Sequence, residues 1–167
     1  MPTLKLGEPV VDAIIAKLRL GMAGRVAAIN ASAADNVTIV PPSDSDYYPF
    51  GISQIPRAPA VVVTQMPTDG EHEAEGPHSF IWVADFAVFV LEEDSDRERL
   101  ARKLQRQVRA AVETLWDDDP KESLAGGVAF QLKFVRDDPG PVAEPENDES
   151  FWRAWHVAYF RVWSDEG

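Results

Sequence analysis

The groups that could do acid–base or nucleophilic chemistry are few. His72, His78 and His156 are the only imidazoles among 167 residues, and cysteine is absent. Disulfides, thiolate metal sites and cysteine nucleophiles are therefore excluded together, and few side chains titrate near neutrality to serve as general bases. His72 stands between Glu71 and Glu73. Such a set holds a metal ion only where the ligands converge within about 2.0–2.6 Å of one point, whereas adjacent residues of an extended segment point apart. The segment reads as a solvated loop. His156, between Trp155 and Val157, reads as a sheet histidine with a satisfied hydrogen bond.

The carboxylate clusters are better explained by local structure. Asp94 and Asp96 resemble the opening of a calcium loop, but Arg97 and Arg99 follow and the turn glycine is missing, so helix capping is the expected role. Asp44 with Asp46, and Asp117 to Asp119, fit turns and helix ends. Gly21 and Gly24 have neither a preceding strand nor a P-loop lysine, and no Gly-x-Ser-x-Gly occurs. Carboxylate pairing across space, as in glycoside cleavage, is not readable from sequence. The sequence assigns no catalytic, cofactor-binding or metal residue and points to a protein that binds or assembles.

The elements that would position these side chains follow from periodicity. Val11, Ile14, Ile15, Leu18, Met22, Val26 and Ile29 recur at helical spacing, predicting a helix over residues 8–30 in which Gly21 and Gly24 are read first as tolerated glycines and second as the mark of a kink or close contact near Met22. Residues 37–40 read as a short strand stopped by Pro41 and Pro42. The run 60–64 is β-branched and reads as a strand buried on both faces. Both alternating sets of residues 79–91 are largely apolar, which marks a central strand. Ser95 and Glu98 have capping-box spacing ahead of a second helix reaching Trp116, with Leu100, Leu104, Val108, Ala111 and Leu115 as its stripe. A strand over 128–134, with Val128, Phe130, Leu132 and Phe134 inward, and an aromatic strand over 151–163 close the chain. Acidic loops are expected near 67–78 and 137–150. The expected fold is α+β, a mixed or mainly antiparallel sheet packed against two main helices in a single domain.

Hydrophobic residues make up 45% of the chain, which is enough to form a core. No run reaches the roughly 20 apolar residues that cross a bilayer, and no signal peptide is evident, so neither a membrane role nor secretion is expected. The net charge of −12 opposes specific nucleic-acid binding, which rests on cations.

The cations are concentrated on the second helix. Arg97, Arg99, Arg102, Lys103, Arg106 and Arg109 are six of sixteen in the chain, and all but Arg97 lie opposite the leucine stripe. They read either as a solvated face or as one side of a subunit contact. The candidate partner surface is Asp137, Asp138, Glu144, Glu146, Asp148 and Glu149 of another copy. A contact joining two different patches closes into a ring when the rotation per subunit divides a full turn. Some of the five tryptophans would serve as apolar anchors.

The order of these elements resembles the tail terminator and neck proteins of long-tailed bacteriophages. The likeness is carried by the opening helix Val10 to Ile29, the strand Pro59-Ala60-Val61-Val62-Val63, the strand Phe80 to Leu91 running into the helix Ser95 to Trp116, and the closing Tyr159-Phe160-Arg161-Val162-Trp163. It rests on pattern, and no short motif supports it. It implies a virion protein of the tail–neck region, assembled in the host cytoplasm, without catalytic residues or cofactor. Its partners would be further copies of itself in a hexameric ring, the tail tube protein and the head–neck connector, with DNA passing through the lumen. The resemblance covers a neck or head-completion role as well. A reading from another class is a monomeric acidic inhibitor or immunity protein that blocks a basic site. A metal-dependent hydrolase is least favoured. A closed ring held by the basic face predicts that reversing charge at Arg102 and Arg106 weakens self-association in light scattering.

Overall fold

The computed structural model describes residues 7–49, 55–67, 72–74, 80–116, 131–143 and 151–165. Helix α1 (Glu8–Ser32) leads through an extended strap and a single 3-10 turn (Asp44–Asp46) into strand β1 (Tyr47–Pro49). Strands β2 (Ala60–Gln65), β3 (His72–Ala74) and β4 (Phe80–Asp94) follow, then helix α2 (Arg97–Leu115), β5 (Gln131–Ala143) and β6 (Trp152–Asp165). The sheet order is β1-β2-β4-β6-β5, with β3 paired to the start of β4. Only β1 and β2 run parallel, so the sheet is mixed and the fold is α+β, as the sequence implied. No helix among the described residues is long and apolar enough to cross a membrane.

Both helices lie on one face of the sheet. Val10, Val11, Ile14, Leu18 and Met22 of α1 and Val108, Ala111 and Leu115 of α2 pack with Val61, Val63, Phe86, Val88, Val90, Ala158, Phe160 and Val162. Burying side chains of this size contributes about 1.5–3 kcal/mol each. The opposite face carries a smaller cluster in which Ile55, Ala60, Val62 and Leu91 meet Tyr48, Phe89 and Trp155. Strand β4 is therefore covered on both sides, which explains its doubly apolar sequence.

Four elements differ from expectation. Strand β3 takes His72–Ala74, expected to lie in an acidic loop, into a ladder with β4. Residues 37–40 are extended but form no ladder, because side chains take their backbone groups. Asn30 accepts from the Ile39 N–H (3.0 Å) and donates to its carbonyl (2.8 Å), Arg106 donates to the Val37 carbonyl, and Gln107 donates to that of Val40 (2.7 Å). The capping box expected of Ser95 is not formed, and the cap of α2 is Asp96, which fills the capping role also expected of it. Its carboxylate accepts from the Glu98 and Arg99 N–H groups at 2.9 and 3.0 Å.

Strand β5 continues to Ala143, through residues expected to be loop, and takes Asp137 and Asp138 into the sheet. Its edge position tolerates Pro139 and Pro141. Register shifts between Phe134 and Arg136, and between Pro139 and Val142, absorb extra residues as bulges. Gly140 permits the second, since a Cβ there would lie 2.8 Å from the Trp155 carbonyl oxygen. Val128 and Phe130 lie outside the described residues.

The two glycines of α1 have different roles. A Cβ on Gly21 would sit 2.5 Å from Thr114 Cγ2, at the crossing with α2, while one on Gly24 would meet nothing. Thr114 is held there because its hydroxyl donates to the Ala110 carbonyl at 2.7 Å. Gly21→Ala should therefore destabilise the fold by about 1–3 kcal/mol through overpacking. Gly24→Ala should stabilise it by up to about 1 kcal/mol, as for any exposed helix glycine. Urea unfolding of the two variants checks the pair.

Candidate functional site

The basic face of α2 is occupied within the chain. Asp94, 5% exposed at the end of β4, accepts from Arg99 Nε at 2.9 Å and lies 3.0 Å from Lys103 Nζ. These contacts, with the Asp96 N–H, hold its carboxyl well below the usual range, with Arg99 the largest cause. Asp35, in the strap, receives Arg102 at 2.8 Å and Arg106 at 2.5 Å. Arg106 is the main reason its carboxyl is lowered to about 2. Arg97 lies over the Trp152 ring at 5.0 Å, and Arg109 pairs with Glu113 at 2.8 Å. The cations thus lace α2 to the strap and to the end of β4.

Of the expected acidic partners, Asp137 and Asp138 lie on edge strand β5. Asp137 bonds His156 Nε2 at 2.7 Å, which gives that histidine its expected partner, and Asp138 pairs with Arg136. Glu144, Glu146, Asp148 and Glu149 lie outside the described residues, as do Glu71 and His78. Asp137 and Arg109 do come together within one chain. With Gln105, Val108, Val112, Glu113 and Phe134 they line a groove of about 340 Å³ between α2 and β5. Beside it Trp116, 53% exposed, rests on Phe134 with ring centroids 6.0 Å apart. Val135, at the bulge, is 45% exposed. Among the described residues no group of three or more His, Asp or Glu is placed to hold a metal ion.

The outer face of α1 is a surface that the sequence reading missed. Leu20 is 88% exposed. Around it Ala16, Ala23, Gly24, Ala27 and Ala31 are also exposed. At 100° per residue these six cover about 100° of the wheel with no charged residue among them. The signal was present in the sequence, since α1 is apolar on both sides, but the periodicity of the large residues drew attention to one face only.

The net charge has a separate location. Residues 68–79, 117–130 and 144–150 contain twelve carboxylates and one lysine, Lys121, which accounts for −11 of the −12. The first two connections enter β4 and β5 at the end of the sheet where β6 finishes, since Ile81 is paired with Asp165 and Gln131 with Trp163.

No protein-family model matches the chain, and no curated protein does. Among solved structures, one described as the virion of a native gene transfer agent particle is similar with a TM-score of 0.42. It is 18% identical over 72% of this chain and 81% of its own. A second has a TM-score of 0.36 and 15% identity over 88% of this chain and 94% of its own. At these scores nothing about the role of this chain follows from either.

The lacing carries a pH signature. The unfolded chain takes up a proton on Asp35 near pH 3.8 and the folded chain only near 2. The stabilisation is present above 3.8 and is lost as pH falls through 2. Asp35→Asn should flatten the acid limb of the melting temperature against pH, which a scan between pH 2 and 5 reads directly.

Proposed function

We propose that the chain is a non-enzymatic structural protein of a phage-type virion, a tail terminator-like ring subunit that caps the tail tube and joins it to the head–neck connector. The observation that carries the assembly reading is the uncharged outer face of α1. Helices apolar on both sides are normally covered on both sides, and here the sheet covers only one. A neighbouring subunit is the cover this reading supplies. The order of elements that carried the resemblance, helix, strands, helix and long closing strands, supports the finer assignment to a terminator over other assembling proteins.

The mechanism on this reading is geometric. One rim of the ring binds the last ring of the tube, and the other presents no copy of the tube surface, so growth stops. The α1 face of one copy would meet a different patch of the next, and such a contact closes into a ring when the rotation per subunit divides a full turn. The acid-rich connections entering β4 and β5 would leave from one end of each subunit. An acidic rim or lumen there repels passing DNA and keeps it from adhering. The same connections are also the basis of the competing reading, an acidic inhibitor of a basic partner, which needs no ring.

Light scattering across concentration separates the two. The wild type should approach a hexamer as concentration rises. Leu20→Glu combined with Ala27→Glu, exposed positions with little to lose in the fold, should shift it to monomer with an unchanged melting temperature. A wild type that stays monomeric at every concentration, or a double variant that associates as well as wild type, would count against the α1 contact and favour the inhibitor.

A further inference from the structure

Glu92 lies on the helix-covered face near the end of β4 and is 3% exposed. Opposite it, Gln107 of α2 is completely buried. The Gln107 amide nitrogen donates to the Val40 carbonyl at 2.7 Å and approaches Glu92 Oε2 at 3.4 Å, long for a hydrogen bond. Among the described residues the Gln107 oxygen Oε1 has no hydrogen-bond partner. An ionised carboxylate only accepts and leaves that oxygen unpaired, whereas a protonated carboxyl brings a donor.

The charged groups nearby are already engaged. Lys103 of α2 faces Asp94 at 3.0 Å and donates to the Glu93 carbonyl at 3.2 Å. Arg99 is taken by Asp94, Arg106 by Asp35, and Glu93 by Arg153 of β6. His156, opposite Val90 on β6, is bonded to Asp137. Across the strand pair from Glu92 stands Ala154, and the strap brings the Val40 carbonyl to Gln107 and its one carboxylate, Asp35, to Arg102 and Arg106. Among the described residues Glu92 forms no ion pair.

We propose that Glu92, Gln107 and the strap at Val40 form a proton-controlled latch. With its carboxyl protonated, Glu92 donates to the unpaired Gln107 oxygen and fixes the amide so that its nitrogen holds the Val40 carbonyl. Loss of the proton sets a buried negative charge against that oxygen, the pocket opens to water, and the strap loosens at Val40. The loosened strap releases the Ile39 N–H from Asn30, and exchange of that amide reports the latch. Burial pushes the Glu92 carboxyl up to about 7, against the smaller lowering effect of Lys103, which puts the transition near neutrality. The sign follows. The closed latch is fully stabilised below the ordinary glutamate range, and this stabilisation is lost as pH rises through 7. The latch rests on the fold alone and stands or falls independently of the ring.

The test is amide hydrogen exchange over residues 37–40, corrected for the intrinsic pH dependence, together with ¹³C titration of the Glu92 side-chain carboxyl. Protection of the strap should fall about tenfold between pH 6 and 8, the linkage expected when one proton with a pKa near 7 is lost. In Glu92→Gln, whose amide supplies a permanent donor, protection should be the same at both pH values. In Gln107→Met it should be low at both. A Glu92 carboxyl titrating near the usual 4.5, a wild-type strap insensitive to pH, or an equal fall in Glu92→Gln would each overturn the latch. The carboxyl titration needs no variant and decides the matter even where a substitution unfolds the protein.

Discussion

The structure depends on one constraint, that β4 must be covered on both faces. Its 15 residues pair with β6 along most of their length and with β2 from Phe86 to Leu91, and carry apolar side chains in both alternating sets. Two helices meet this need on one face, and the Ile55 to Val62 cluster begins to meet it on the other. Because β4 keeps its alternation to Asp94, Glu92 and Asp94 arrive on the helix-covered face and are carried under α2. A carboxylate in that position needs cationic partners or has to keep its proton. Asp94 receives Arg99 and Lys103, while Glu92 meets the Gln107 amide and forms no ion pair among the described residues. The arginine-rich side of α2 follows largely from the length of the strand before it.

How much of this was legible in the sequence depends on how far apart the interacting residues lie. α1, α2, β4 and β6 are written in periodicities that extend over a dozen residues or more, and they appear close to where those periodicities place them. The strap was not legible as such. Residues 37–40 have strand composition, yet what occupies their backbone is Asn30, Arg106 and Gln107, the last two nearly 70 residues away. The helical wheel of α2 located its cations correctly but could not show that Asp35 is within reach of two of them. The edge position of β5 was equally hidden. Pro139 and Pro141 argue for a loop until it is known that one side of the strand is free.

The separation of charge from fold is informative. Without the three acid-rich connections the chain is nearly balanced, and its acids and bases pair across elements, as Arg161 does with Asp85 and Arg153 with Glu93. Such exposed pairs add little to stability, but they leave the framework without a strong field of its own. Nearly all of the −12 is therefore a property of these three stretches and not of the core elements. Long-range repulsion of this kind is screened beyond about 8 Å at physiological ionic strength, so it acts on whatever passes close to those segments.

The outer face of α1 fits the same division. Alanine, glycine and a nearly bare leucine on the outside of a long helix bury little surface in the monomer, which the opposite face already anchors to the sheet. Small side chains allow another backbone to approach closely, and the absence of charge removes the desolvation cost that would oppose such an approach. A strongly acidic chain would ordinarily resist bringing copies together. With the acid concentrated in the connections, the α1 face itself carries no charge to oppose the subunit contact proposed for it.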